Sequence, residues 1–252
     1  MPNKKRADLL LVEKGLAPTR QRAQSMILAG QVLANDQPVT KAGALLEEEV
    51  LLRIRGTDHP YVSRGGVKLA AALDTFEIIP TGKIALDIGA STGGFTDVLL
   101  TRGAERVFAL DVGFNQLAWK IRNDPRVTVI EKINARNLEF SVVGQQVDLI
   151  VVDVSFISLG KILPALCQFS KPETEWITLI KPQFEVGREK VGKGGIVRSE
   201  KDRQDAVEKL KSFAETVGLS CTGLIDSPIE GTDGNKEFLA RWKYQNSARP
   251  GA

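Results

Sequence analysis

At 252 residues, with 42% hydrophobic and 26% charged side chains and a formal net charge of +3, the chain has the composition of a globular protein with room for one large domain and a small one. Two distant cysteines, Cys167 and Cys221, exclude a disulfide scaffold and imply reduced thiols in a cytoplasmic protein, and one histidine, His59, leaves too few ligands for a zinc site, so no metal is expected. No apolar run approaches ~18 residues and the start lacks an apolar signal core, so neither a spanning helix nor a membrane partner is expected.

The first five residues read as a basic, disordered tail. Residues 1–45 hold seven basic side chains against three acidic ones, a local excess that suits an anionic partner. A helix is predicted from Arg6, with Leu9, Leu10 and Val12 as its apolar face and Gly15 as its stop. A second helix runs from Thr19, a good N-cap, to Ala29, with Ala23, Met26 and Ile27 inward and Gly30 ending it. Arg20 and Arg22 fall in its first turn, where the helix dipole disfavours cations, so an anion should face them. A short strand at Val32-Leu33, a turn over Asn35-Asp36 and a strand near Val50 to Ile54 follow. The stretch from Arg20 to Asn35 resembles the alpha-L RNA-binding module of a ribosomal protein, tyrosyl-tRNA synthetases and pseudouridine synthases. Thr19 and Asp36 stand where that module often has Ser and Gly.

Gly56 to Pro60 reads as a linker, with His59 a surface residue within it. A helix opens at Ser63-Arg64-Gly65-Gly66-Val67-Lys68, and Leu69, Ala72, Leu73 and Phe76 form its buried face. The remainder alternates strand and helix. Strands are predicted at Ile84–Asp87, Arg106–Asp111, Val127–Glu131, Val147–Asp153 and Trp176–Lys181, then a helix from Ser199 to Val217 packing through Val207, Leu210, Phe213, Ala214 and Val217. Strands at Leu219–Asp226 and Glu237–Tyr244 flank a Gly-rich turn and predict an antiparallel edge on a mostly parallel sheet. Gln245 onward is a polar tail.

The chemistry centres on Ile84 to Asp97. An apolar strand ends on Asp87, and Gly89-Ala90-Ser91-Thr92-Gly93-Gly94 turns into a helix through Phe95. A dinucleotide fingerprint needs Gly at the position of Ser91, where backbone meets pyrophosphate, so NAD is disfavoured. Asp111 ends the next strand and suits ribose hydroxyls. A ribose ligand with a cationic amino-acid group near Asp87 describes S-adenosylmethionine, lying over Gly89, Ser91, Gly93, Gly94 and Phe95 with Asp111 on its ribose and Asn134 or the loop after it near the adenine. The alternative is an ordinary tight turn with Asp87 bonded to its own backbone. Asp153 and Lys181 end two further strands, where ligands of open parallel sheets collect; Lys68, near a helix start, and Glu237, in the terminal hairpin, could converge there, which spacing alone does not establish. A Lys68–Lys181 pair would depress one ammonium pKa while the carboxylates hold the geometry. Taken singly, each of these side chains also reads as a surface ion-pair residue, and for Lys68 and Glu237 that is the favoured reading.

Taken together, Tyr61 to Leu69, Leu86 to Asp97, Asp153-Val154-Ser155-Phe156-Ile157-Ser158, Leu179-Ile180-Lys181-Pro182-Gln183-Phe184-Glu185 and Gly231 to Phe238 resemble the hemolysin-A type (TlyA-type) RNA 2′-O-methyltransferases, allied to the FtsJ-type enzymes. The resemblance runs from about Lys5 to Tyr244. It implies an α/β fold: a Rossmann-like S-adenosylmethionine-dependent methyltransferase domain at 63–252, a linker at 57–62 and a small alpha-L RNA-binding domain at 1–56. It also implies a Lys68-Asp153-Lys181-Glu237 tetrad and ribose methylation of ribosomal RNA or ribosomal subunits, at cytidine. Lys4, Lys5, Arg6, Arg20, Arg22 and Arg64 would hold phosphates. The competing readings are a non-catalytic RNA-binding or ribosome-assembly factor and a membrane-active hemolysin.

Overall fold

The computed structural model describes residues 4–17, 19–54, 59–231 and 234–245. Met1 to Asn3 of the basic tail, Gly56 to Asp58 of the linker, Thr232-Asp233 of the last turn and the tail beyond Gln245 lie outside the described residues. The chain divides into two compact units, Met1–Pro60 and Tyr61–Ala252. The division falls within the expected linker 57–62, and Tyr61 and Val62 on its far side are held by the second unit: the Val62 N–H donates to Asp97 at 2.9 Å, and Tyr61 packs so tightly on Gly66 that a Cβ there would lie 2.5 Å away.

The first unit contains β1 (Lys4–Arg6), α1 (Ala7–Glu13), α2 (Arg20–Leu28), β2 (Val32–Ala34), β3 (Gln37–Pro38), β4 (Leu45–Glu47) and β5 (Leu52–Ile54). Lys4 and Lys5 are therefore ordered, against the expectation of a disordered tail: β1 pairs antiparallel with β4. A charged edge strand has the same polar composition as a tail, and Lys4–Arg6 is such a strand. The apolar face of α1 is Ala7, Leu10 and Leu11, whereas Leu9 is exposed. The Thr19 hydroxyl caps α2 by accepting from the Arg22 N–H, as its sequence implies. Asn35 and Asp36 both take positive φ (48° and 63°) in the β2–β3 hairpin, the backbone of a tight two-residue turn.

The anion facing Arg20 is inside the chain. Asp8 is fully buried and accepts from Arg6 Nε (3.0 Å), Arg20 Nε (3.0 Å) and Gln24 Nε2 (2.8 Å). These donors hold its carboxyl well below the usual carboxylate range, chiefly through Arg6. A depressed carboxyl contributes stability that is complete above the unfolded pKa of about 4 and is lost as pH falls toward the folded value. Because both arginines remain about half exposed, Asp8→Ala should destabilise this unit by about 2 kcal/mol rather than by a full buried-pair loss. Urea denaturation of the whole chain at neutral pH and near pH 3 should show that the gap between wild type and variant narrows in acid; a gap independent of pH would contradict the assignment.

In the second unit come α3 (Gly65–Thr75), β6 (Ile84–Ile88), α4 (Gly94–Thr101), β7 (Arg106–Asp111), α5 (Trp119–Arg122), β8 (Val127–Glu131), α6 (Phe140–Val143), β9 (Val147–Val152), α7 (Leu163–Leu166), β10 (Ser170–Ile180), α8 (Pro182–Glu185), α9 (Glu200–Thr216), β11 (Leu219–Asp226) and β12 (Phe238–Tyr244). Seven strands form one sheet in the order β11-β12-β10-β9-β6-β7-β8. The run β10-β9-β6-β7-β8 is parallel, and β12 is antiparallel to both neighbours. The antiparallel pairing was expected, but β12, not β11, takes the inner place. Phe238, Leu239, Ala240 and Trp242 are all buried, so β12 has two apolar faces, which an interior strand requires and the half-polar β11 lacks. Trp242 lies opposite Trp176 of β10, with each indole N–H satisfied, by Thr178 and Ser170 respectively.

Apolar layers cover both faces of the sheet. One contains Leu69, Leu73, Phe95, Val98 and Leu99 of α3 and α4; the other contains Leu163 and Leu166 of α7 and Val207, Leu210 and Ala214 of α9. Phe213, expected inward, is 38% exposed, because it lies on the shoulder of the α9 stripe. Cys167 and Cys221 are free and half-buried, and burial pushes the Cys167 thiol up to about 11. No helix among the described residues is long and apolar enough to cross a membrane.

Candidate active site

From β6 the chain proceeds outward to β7 and β8, then returns to β9 on the other side of β6. Such a reversal opens a crevice beyond the carboxyl ends of the two central strands. Gly89 follows β6 and Asp153 follows β9 at that point. The two backbones touch: a Cβ on Gly89 would lie 2.2 Å from the Asp153 carbonyl oxygen, and Gly89 holds φ +83°. Gly89 thus serves the contact between loops rather than a pyrophosphate. Gly89→Ala is expected to cost about 3 kcal/mol through clash and left-handed backbone together. Thermal unfolding would measure it, and an unshifted transition would contradict the contact.

Two cavities share this crevice. The larger, of about 590 Å³, is lined by Gly89, Ser91, Asp111, Asn134 and Asp153. Ile133, Ile157 and Ile162 supply apolar wall, and Phe156 stands at it 91% exposed. The Asp111 carboxylate accepts from the N–H groups of Ser91 (2.8 Å) and Gly113 (2.7 Å), which fixes it at the rim. Asn134 accepts from the Arg136 N–H. The smaller cavity, of about 250 Å³, is lined by Ser63, Arg64, Gly94, Phe95, Glu230 and all of Lys68, Asp153, Lys181 and Glu237. Gly89, Ser91 and Asp153 line both.

The four tetrad residues arrive from separate elements. Lys68 is on the first turn of α3, Asp153 follows β9, Lys181 follows β10, and Glu237 precedes β12. They form two ion pairs. Lys68 Nζ lies 2.5 Å from Glu237 Oε2, both side chains nearly buried. Lys181 Nζ lies 2.7 Å from Asp153 Oδ1 and donates to Ser155 Oγ at 2.8 Å. Each ammonium lies against a carboxylate, and both ion pairs line the one small cavity, where alternating charges are the lower-energy packing.

Two expected cofactor residues line neither cavity. Asp87 is fully buried within β6. It accepts from Thr96 Oγ1 at 2.6 Å, and burial pushes its carboxyl up to about 7 against the opposing pull of the Thr96 side-chain and backbone hydrogen bonds. Gly93 caps α4 at φ +96° against Leu117 and Ile121. Gly94 and Phe95 line the tetrad cavity, not the larger one. Of the basic residues, Arg64 is exposed at the tetrad cavity. Lys4 lies in β1 opposite Glu47, Lys5 pairs with Glu13 and Glu48, and Arg6 and Arg20 pair with Asp8. Arg22 opens α2 through its backbone N–H. His59 lines neither cavity. Ser63, Ser155 and Glu230 were not anticipated; a lone serine or glutamate in a loop carries no periodic signal.

Residues 61–244 match the family model of the FtsJ-like methyltransferases, and residues 5–51 match that of the S4 domain. The chain belongs to the FtsJ-like methyltransferase family. Among curated relatives, the methyltransferase is 45% identical over 240 residues to the 16S/23S rRNA (cytidine-2′-O)-methyltransferase TlyA of Mycobacterium tuberculosis, covering 95% of this chain and 90% of that one. It is 42% identical to Hemolysin A of Brachyspira hyodysenteriae, covering 94% and 99%. Among solved structures, a protein designated a hemolysin from Streptococcus thermophilus superposes with a TM-score of 0.76 at 43% identity, covering 98% of this chain and 90% of that one. The chain, with its α/β fold and N-terminal S4 domain, thus matches both methyltransferase-named and hemolysin-named proteins over nearly its whole length.

Proposed function

We propose that this methyltransferase transfers a methyl group from S-adenosylmethionine to the ribose 2′-hydroxyl of ribosomal RNA, at cytidine. The observation that carries the reading is Asp153, which lines both the larger crevice cavity and the tetrad cavity while contacting Lys181. The activity named for the 45% identical mycobacterial relative supports the choice of acceptor.

The larger cavity fits the proposed cofactor. Its volume lies in the range of small-ligand sites, Asp111 offers carboxylate oxygens to a ribose, and Ile133, Ile157 and Ile162 offer apolar wall to a purine. In the neighbouring β6 strand, Asp87 keeps Oδ1 buried without a hydrogen-bond partner among the described residues, a spare acceptor for a cationic amino-acid group. When bound, S-adenosylmethionine supplies an electrophilic methyl on a sulfonium. Asp111, Gly89, Ser91 and Asn134 would hold it, Asp87 would act from β6, and Gly93 would shape the turn. Gly94 and Phe95 would form the wall on the acceptor side.

Lys181 Nζ is the group placed to take the 2′-hydroxyl proton in its neutral form. Asp153 and Ser155 fix its position, and the Lys68–Glu237 pair forms the other side of the small cavity. Much of the acceleration then comes from orienting the hydroxyl. Arg64 is placed to hold an acceptor phosphate. In the S4 domain Lys4, Lys5, Arg6, Arg20 and Arg22 would meet phosphates, with Lys5, Arg6 and Arg20 exchanging or sharing their present carboxylates. Ribosomal subunits are the expected partners, and the cytoplasm the expected location.

The test is transfer of labelled methyl to isolated ribosomal subunits and to intact ribosomes, followed by mapping of the modified ribose. Label on a ribose, lost with Lys181→Ala, is expected. Label confined to bases, or none on any ribosomal substrate, would refute the proposal.

A further inference from the structure

The turns leaving β9 and β10 are joined by three successive contacts. Nearest the strands, Lys181 meets Asp153 and Ser155. Midway, the Phe156 and Phe184 rings lie 5.3 Å apart, tilted by 51°. At the far end, Glu185 accepts from Ser158 Oγ at 2.6 Å and from the Leu159 N–H at 2.8 Å. Ser158 Oγ in turn accepts from the Gly160 N–H, so the same hydroxyl caps the next turn. Burial pushes the Glu185 carboxyl up, which makes a carboxylate an expensive way to fill this space.

The turn so held is one that would not keep its shape unaided. Phe156 sits at φ +65°, a left-handed conformation that costs an aromatic residue of order 1 kcal/mol and persists only where the surroundings over-determine it. Val154, Ser155, Phe156 and Ile157 also form one wall of the larger cavity. An anchor at the Lys181 end alone would leave that wall free to swing about the ion pair.

We infer that Glu185 is a positioning residue, whose carboxylate sets the 153–159 turn against α8 and so places Ser155 and Asp153 on Lys181 and closes the wall of the larger cavity. The inference rests on the proposed function for its catalytic half and on the cavity alone for its binding half. Glu185 touches neither cavity; it acts through Ser158 and Leu159.

The experiment uses the full chain with ribosomal subunits as acceptor, and S-adenosylhomocysteine as the binding probe. Glu185→Ala should lower kcat by about 10²-fold, the loss a displacement of about 1 Å brings, with KM for the subunits unchanged. It should also weaken S-adenosylhomocysteine binding roughly tenfold, since a loosened wall lowers the fraction of chains competent to bind. Glu185→Gln should restore most of both, because an amide can accept from Leu159 N–H and donate to Ser158 Oγ. Ser158→Ala, a milder change for folding, should show a smaller loss in the same direction. Equal, near wild-type kcat and affinity in all three would overturn the inference, as would Glu185→Gln as impaired as Glu185→Ala, which would make charge rather than geometry the cause. If Lys181→Ala stays fully active, the base assignment fails, yet the S-adenosylhomocysteine affinities still decide the role of Glu185: weakened by Ala and restored by Gln supports it, unchanged by either overturns it.

Discussion

Lys181→Ala is expected to lower methyl transfer to ribosomal RNA by about 10³-fold, the middle of the range for removal of a positioned general base, while S-adenosylhomocysteine affinity changes little. The separation follows from placement. Lys181 lines only the tetrad cavity, and the larger cavity beside it is walled by other residues. Lys181→Arg sharpens the test. A guanidinium can keep a contact with Asp153, but it does not give up its proton near neutral pH, so it should be nearly as inactive as alanine. Single-turnover transfer with saturating cofactor measures the chemical step directly. Arginine activity close to wild type would mean that position 181 needs only positive charge, and the base would have to be sought elsewhere.

The second large effect concerns the other ion pair. Glu237→Gln removes the charge partner of Lys68, whose ammonium is nearly buried. An uncompensated buried charge costs about 3 kcal/mol, so the variant should unfold at lower denaturant and lose methyl transfer together. The double variant Lys68→Met/Glu237→Gln removes both charges and should recover most of the stability, since replacing a buried pair by neutral groups of similar volume is near neutral. Activity should not return with it. Denaturation midpoints and transfer rates, measured on the same three proteins, separate the two roles. Recovery of both would reduce the pair to scaffolding; recovery of neither would point to a broader collapse of the α3–β12 contact.

Much of the fold was legible because its signals are local. Arg106–Asp111, Val127–Glu131 and Leu219–Asp226 were read with the ends they have in the structure, since each is an apolar or alternating run bounded by turn residues. Thr19 and Ser199 cap α2 and α9 because a hydroxyl placed before a helical run meets an N–H two or three residues on. The Lys4–Arg6 strand escaped notice for the opposite reason: its partner β4 is about forty positions away, and nothing within six residues marks it as extended. Helical periodicity puts Leu9 and Phe213 inward, and they lie outward by a fraction of a helical turn.

The site divides along the same line. Gly89, Ser91 and Asp111 could be read from one βαβ unit, where strand end, turn and next strand end have fixed spacing. The chain by itself also placed Asp153 and Lys181 at strand ends, and the motif resemblance assembled the four tetrad residues. Only the tertiary structure decided how they pair. Lys68 and Glu237 are 169 positions apart and meet because β12 enters the sheet beside β10, an outcome set by which strand had two apolar faces. Only the packed chain shows that Asp87 is buried and lines neither cavity, that Gly89 is needed for contact with Asp153, and that Glu185 ties the two turns together. Periodicity, capping and turn chemistry act over a few residues and are written along the chain; the pairing of charges across a sheet depends on strand order, which is settled only when both faces of the sheet are buried.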